Sequence, residues 1–287
     1  MTEFHARATD PGSLLAVNDL TVAFGDNVVV DHVTFSIERG ERLAIIGESG
    51  SGKTLTALSI IGLVPEAATV SGRVTFDGQE LIGRRDRELS KLRGEAIAMV
   101  FQNPQTSLNP LMRVGKQIAE PLRRHHGMDR SAAAKAAVQL CARVGLPEPA
   151  SAARAFPHQL SGGQRQRIGI AMALACRPAL LIADEPTTAL DVTVQAEVLA
   201  VLAELIATDT TSLLFITHDV ALVPLVADDV LVMRNGAIVE SGDVSAIIAA
   251  PSHPYTSELL AAARKTALPP DPATDRAAMA AVPPGRR

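Results

Sequence analysis

Four stretches of the chain are apolar without alternation: RLAIIG (42–47), IAMVF (97–101), ALLIAD (179–184) and SLLFIT (212–217). Unbroken apolar runs of this length predict strands covered on both faces, as in a parallel sheet. Between the last two lies VQAEVLAVLAELIA, where Val198, Val201, Leu202 and Leu205 recur at the spacing of a helix stripe. Strand, helix and strand in that order form a βαβ unit, so the core is α/β. The N-terminal pattern differs. LLAVNDLTVAFGDNVVVDHVTFSIERG mixes Val and Thr with Gly, Asp and Asn turns and predicts a small antiparallel sheet. From about Pro104 to Gln159 the strand pattern stops, and SAAAKAAVQLCARVGL is helical by propensity. An inserted helical lobe is expected over residues 104–165, within one domain spanning 15–260. Residues 1–14 read as a polar, frayed tail, and the Pro/Ala-rich residues 261–287 as a disordered one.

Composition narrows the function classes. Of 287 residues only 3% are aromatic, with no Trp and one Tyr. The core must therefore be aliphatic, and a stacking platform for single-stranded nucleic acid is not expected. A net charge of −4 also argues against a nucleic-acid partner. The mixed-sign run RRDRELSKLR (84–93) reads as a solvated helix face. Cys141 and Cys176 lack metal-ligand spacing and read as reduced thiols. No apolar run approaches the ~18 residues of a bilayer span, so a soluble chain is expected, with any membrane role exercised through partners.

The first chemical motif is GESGSGKT, from Gly47 to Thr54, which matches G-x-x-x-x-G-K-[ST] in full between an expected strand and an expected helix. Gly47, Gly50 and Gly52 let the backbone curl around Glu48, Ser49 and Ser51 so that successive N–H groups meet phosphate oxygens. Lys53 is placed for the β- and γ-phosphates and Thr54 for Mg²⁺. The second is LLIADEP, which puts Asp184 and Glu185 at the carboxyl end of a strand, where α/β sheets bind ligands. Neighbours on a strand point to opposite sides. Asp184 is therefore assigned to the Mg²⁺ shell and Glu185 to the attacking water as general base.

The order of these motifs closely resembles the nucleotide-binding subunit of ATP-binding cassette transporters, over residues 15–260. GESGSGKT resembles its Walker A loop and LLIADE its Walker B; FQNP with Gln102 resembles the Q-loop, ALDV with Asp191 the D-loop, and THD with His218 the switch histidine. LSGGQRQR, beginning Leu160, Ser161, Gly162, Gly163 and Gln164, resembles the family signature. The resemblance implies a P-loop, RecA-like core with an N-terminal antiparallel subdomain and an inserted helical subdomain. It also implies that the signature acts on the nucleotide of a second subunit. Ser161, Gly162 and Gly163 open a helix and form an anion site without a lysine, weak until a γ-phosphate is already held opposite. Phe24 stands where the family stacks adenine, Gln102 where it senses metal or water, and His218 where it meets the γ-phosphate.

VFQNPQTSLNP, FPHQLSGGQRQR and PSHPYTSELLAA narrow the resemblance to dipeptide, oligopeptide and nickel importers, with HPYT (253–256) the most telling. The family implies ATP and Mg²⁺, two membrane permeases, a second ATPase (a paralogue or this chain itself), a solute-binding protein acting indirectly, and a place on the cytoplasmic face of the membrane. A nickel or metal-chelate importer is the alternative. An exporter, or a different importer's ATPase, is disfavoured by HPYT. A soluble ABC ATPase of repair or translation is disfavoured because Lys53 and Ser161 stand only 108 positions apart, because one cassette is present, and because zinc cysteines are lacking. Unlike several peptide-importer ATPases, the chain has no cysteine after Asp219, so no iron–sulfur cluster is expected.

Overall fold

A computed structural model describes residues 12–102, 108–188 and 190–266, with residues 265 and 266 described by backbone alone. The expected tails therefore fall almost wholly outside the described residues, as do Asn103 and Pro104 of FQNP and Ala189 of ALDV.

Two sheets organise the described residues. The first is antiparallel, in the order β2-β1-β4-β5, from β1 (Leu15–Phe24), β2 (Asn27–Ile37), β4 (Thr69–Phe76) and β5 (Gln79–Glu80). The second has the order β10-β9-β3-β8-β7-β6, from β3 (Arg42–Ile46), β6 (Ile97–Val100), β7 (Leu180–Asp184), β8 (Ser212–Thr217), β9 (Asp229–Arg234) and β10 (Ala237–Asp243). All its neighbours pair in parallel except β10, which returns antiparallel on β9. Parallel pairing brings the carboxyl ends of β3, β6, β7 and β8 to one edge, and this edge is where ligands bind in such sheets.

The unbroken apolar runs are explained by two cores, one per sheet face. Along β7, Leu181 and Ala183 join one cluster while Leu180 and Ile182 join the other. β8 divides the same way, Leu213 and Phe215 against Leu214 and Ile216. The antiparallel sheet and α1 (Lys53–Ile60) cover one face through Leu15, Val17, Phe35, Ala57 and Ile60. Helices cover the other. Those helices include α3 (Val114–His126), α4 (Arg130–Arg143), α5 (Pro149–Ala152), α6 (Gly162–Ala173) and α7 (Val192–Asp209). The buried stripe of α7 is Val198, Leu199, Leu202, Leu205 and Ile206, broader than the expected one, while Val201 is half-buried. Two short helices, α2 (Asp86–Leu92) and α8 (Val244–Ala249), precede the last, α9 (Pro254–Thr266).

Two expected boundaries shift. Residue 165 lies inside α6, because that helix runs from the lobe into the core and buries Ile168, Ile170 and Ala171. Residue 260 lies inside α9, because Leu260 is itself buried and anchors a helix that continues to Thr266. The charged run 84–93 forms α2 as expected, but Arg93 is not a free surface charge. Its guanidinium donates to Ile61 O (2.7 Å) and Gly62 O (3.0 Å) and pairs with Asp86.

Candidate active site

The phosphate loop is shaped by what presses on it. A Cβ on Gly47 would lie 2.2 Å from the Met233 carbonyl oxygen of β9, so only glycine fits there. Gly52 has φ 100° and would place a Cβ 2.8 Å from Val29 O of β2, a left-handed position that glycine takes without penalty. The Gly236 N–H donates to Ser51 O at 3.2 Å and ties the β9–β10 turn to the loop. Lys53, 5% exposed, donates from Nζ to Gly47 O and Glu48 O, both at 2.8 Å. Burial lowers its pKa, opposed by the carboxylates of Glu185, Asp184 and Glu48. Glu48, Ser49 and Gly50 are exposed at the loop's crown.

Asp184 ends β7 and is 2% exposed; the Thr54 hydroxyl, from the first turn of α1, donates to its Oδ1 at 3.1 Å. Burial pushes the Asp184 carboxyl up to about 6, with Thr54 and Lys53 opposing and Glu185 reinforcing. Glu185 goes the other way. Burial alone would raise it, but hydrogen bonds from His218 and Thr188 and the charges of His218 and Lys53 hold it below the usual carboxylate value. Gln102 Nε2 donates to Glu185 Oε2 at 2.8 Å, the Thr188 hydroxyl to the same oxygen at 3.0 Å, and His218 Nδ1 lies 3.0 Å from Oε1. The two acids are separated by something other than strand alternation. β7 stops at Asp184, and Glu185 takes a left-handed backbone, φ 46°, its N–H donating to Ile216 O at 2.8 Å. That turn redirects its carboxylate toward the ends of β6 and β8.

The other expected residues fall into two groups. Phe24, half-buried, ends β1 at the turn into β2, whose Val29 and Val30 lie against Gly52. Leu160 precedes α6 and Ser161 caps it: Ser161 Oγ accepts from Gln164 N at 3.2 Å, and Gln164 Oε1 accepts from Ser161 N at 3.0 Å. The first N–H groups of the helix, at Gly162 and Gly163, have no intrahelical acceptor. Gly163 is required by packing, since a Cβ there would meet Val194 Cγ1 at 2.5 Å. Asp191 caps α7 by accepting from Val194 N at 3.0 Å, so the signature turn and the Asp191 turn are packed together. Sequence reasoning missed Thr188, three residues past Glu185, and the use made of Tyr255, whose hydroxyl accepts from Glu48 N at 3.0 Å. The Thr pair after ADEP had no motif to flag it. HPYT stands out in the sequence only as a mark of kinship.

The family model described as ABC transporter matches residues 30–188. The chain is 46% identical over 276 residues to the dipeptide transport ATP-binding protein DppD of Escherichia coli (strain K12), covering 94% of this chain and 83% of that one. It is 49% identical over 254 residues to the oligopeptide transport ATP-binding protein OppD of Bacillus subtilis (strain 168), covering 86% and 71%. It is also 49% identical over 265 residues to the peptidoglycan transport ATP-binding protein YejF of Agrobacterium fabrum (strain C58 / ATCC 33970), of which it spans about half, 48%. Among solved structures, the ATP-binding cassette MJ0796, a dimer in a post-hydrolysis state bound to ADP and Pi, superposes with a TM-score of 0.71 at 29% identity, covering 80% of this chain and 98% of that one. The chain therefore belongs to the ABC transporter family and is one of its ATP-binding cassette ATPases.

Proposed function

We propose that this ATPase powers uptake of di- or oligopeptides through two membrane permeases, bound peripherally on their cytoplasmic face. The observation that carries the catalytic part is the placement of Glu185. Its carboxylate is held by Gln102, Thr188 and His218 beside Lys53 and the Thr54–Asp184 pair, all on one sheet edge. The peptide part rests on 46–49% identity to proteins named for dipeptide and oligopeptide transport.

Gly47 to Thr54 surround the phosphates, with Lys53 exchanging its loop carbonyls for β- and γ-oxygens. Phe24 stacks on adenine. Thr54 and Asp184, with Gln102 alongside, would hold Mg²⁺, which would neutralise charge on the phosphates. The donor set fits an ion that arrives with the nucleotide: one hydroxyl, one carboxylate and one amide leave most oxygen positions to phosphate and water. Among the described residues no group of three or more His, Cys, Asp or Glu is arranged to hold a metal by itself. Glu185 accepts the proton of the attacking water, held in place by Gln102 and His218; His218 faces Glu185 with Nδ1 and leaves Nε2 for the γ-phosphate. Leu160 to Gln164 and Asp191 serve the nucleotide of the second ATPase, so that ATP clamps two subunits and loss of the γ-phosphate releases them.

The permease docks in a cleft of about 340 Å³ between the core and the helical lobe, lined by Leu63, Met99, Phe101, Leu108 and Met172. Leu63 and Phe101 are each 42% exposed there, and Phe101 precedes Gln102, so occupancy of the cleft reaches the Glu185 cluster through one peptide bond. Among the described residues no helix is long and apolar enough to cross a membrane. A Glu185→Gln chain captured from native membranes with Mg-ATP is expected to bring down two permeases and a paralogous ATPase, and deleting the gene to abolish uptake of labelled di- and oligopeptides. Capture of no membrane protein would sink the transport reading; capture with unimpaired peptide uptake would sink the substrate class alone.

Asp184 gives this proposal a pH signature. Mg²⁺ and a proton compete for its carboxylate. With the proton held up to about pH 6 in the nucleotide-free chain, Mg²⁺ affinity is expected to fall as pH drops below that value. Stability runs the opposite way: in Mg²⁺-free buffer the unfolded carboxyl ionises near 4 and the folded one near 6, so stability falls as pH rises between them. Asp184→Asn should flatten both dependences, read by Mg²⁺ titration and thermal melting from pH 4 to 7.

A further inference from the structure

The Gly47–Glu48 peptide is gripped from both sides. Its carbonyl oxygen accepts from Lys53 Nζ at 2.8 Å, and its N–H donates to the Tyr255 hydroxyl at 3.0 Å, a contact between residues 207 positions apart. In a trans peptide the two groups point in opposite directions, so the pair of bonds fixes the rotation of the whole plane. Such a restraint has a use here. Glycine at 47 is imposed by the β9 backbone, and glycine leaves the following peptide free to rotate. A rotated plane would turn its N–H, rather than its carbonyl, toward the Lys53 ammonium and release that side chain from the place it holds for phosphate.

Tyr255 is itself anchored. It stands in the first turn of α9 and is 2% exposed, its ring covered by the Arg234 guanidinium at 4.7 Å. The buried Glu240 carboxylate of β10 accepts from Ser252 N at 2.6 Å and His253 N at 3.1 Å, and His253 Nδ1 accepts from Tyr255 N at 3.2 Å. α9 also packs against the 3-10 segment Val220–Leu225, which begins two residues after His218. Burial raises the Tyr255 phenol, so it remains a neutral acceptor at working pH.

We propose that Tyr255 is a positioning residue of the nucleotide site, pinning the Gly47–Glu48 peptide so that the loop is pre-organised for triphosphate. This rests on the reading of Gly47 to Thr54 as the ATP-binding loop. The hydroxyl acts through the loop and never touches the nucleotide. Because the pin is present before ATP arrives, its loss falls on binding rather than on the hydrolytic step.

The test compares Tyr255→Phe, which keeps the ring under Arg234, with Tyr255→Leu, which loses ring and hydroxyl together. Three quantities are read on the full chain: affinity for a fluorescent ATP analogue, kcat, and the rise in Tm caused by saturating Mg-ATP. Tyr255→Phe is expected to bind ATP about tenfold more weakly, with kcat within about twofold of wild type and a smaller ATP-induced rise in Tm, and Tyr255→Leu to be no better. If Tyr255→Phe binds like wild type while Tyr255→Leu fails, the ring serves packing and the proposal is overturned. A lower Tm without nucleotide and an unchanged ATP affinity would overturn it equally. A wild-type chain that binds no ATP would instead remove the reading on which the proposal stands.

Discussion

Glu185→Gln is expected to lower the ATPase rate by about 10²–10⁴-fold while ATP binding stays within a few-fold of wild type. The substitution keeps the shape of the side chain and removes the only proton acceptor among Gln102, Thr188 and His218, which are all donors toward it. The three contacts also predict a side effect. A glutamine can still accept at Oε1, but its amide nitrogen faces donors where Oε2 accepted two hydrogen bonds, from Gln102 and Thr188. Gln102 can answer by turning its own amide oxygen toward the new donor, whereas Thr188 has a hydroxyl that can rotate. Binding is therefore expected to survive and, on the proposed two-subunit clamp, the ATP-loaded dimer to accumulate because the γ-phosphate is not removed. Single-turnover hydrolysis and size-exclusion chromatography with Mg-ATP separate the two effects. Equal hydrolysis rates for wild type and variant would remove Glu185 from the role of base.

What the sequence made legible follows how each feature is encoded. The phosphate loop, the strand-end acids, the signature turn and the switch histidine are short contiguous motifs, and each lies where a glycine turn or a strand end was expected. The parallel sheet was legible because burial on both faces leaves no polar alternation, and β8 occupies the run SLLFIT without a residue's difference. The β9–β10 hairpin was not read, although MRNGAIV carries Asn235–Gly236, the strongest short hairpin signal. The β4–β5 pair was missed because TVSGRVTF is interrupted by Gly72, whose φ of 93° packs against Asp19 and gives no apolar period. The split between Asp184 and Glu185 was expected for the wrong reason: a left-handed φ at a glutamate leaves no trace in composition. Long-range partners were the least legible, since nothing local says that the tyrosine of HPYT meets the second residue of a loop 207 positions earlier.

Lys53→Met separates binding from folding more sharply than any other change in the site. The ammonium is buried and its pKa is lowered by that burial, so in the absence of nucleotide its charge is held at a cost that two carbonyls and three nearby carboxylates only partly offset. Methionine fills a similar volume without charge, leaving the Gly47 and Glu48 carbonyls as the unsatisfied remainder. Glu48 is exposed, so water replaces the lysine at its carbonyl, while buried Gly47 loses its partner; relief of the buried charge offsets that loss, and the nucleotide-free Tm is expected to change by no more than a few degrees. ATP binding has no such substitute. Removing one partner of a buried, charged hydrogen-bonded pair costs about 2–5 kcal/mol, which corresponds to about 30- to several-thousand-fold in affinity. The expected signature is thus a chain as stable as wild type that gains almost nothing in Tm from Mg-ATP. The contrast with Glu185→Gln is diagnostic: one variant binds and does not turn over, the other folds and does not bind. Were Lys53→Met instead to unfold, the lysine would be a structural cation of the loop, and its contacts with Gly47 O and Glu48 O would belong to folding rather than to phosphate.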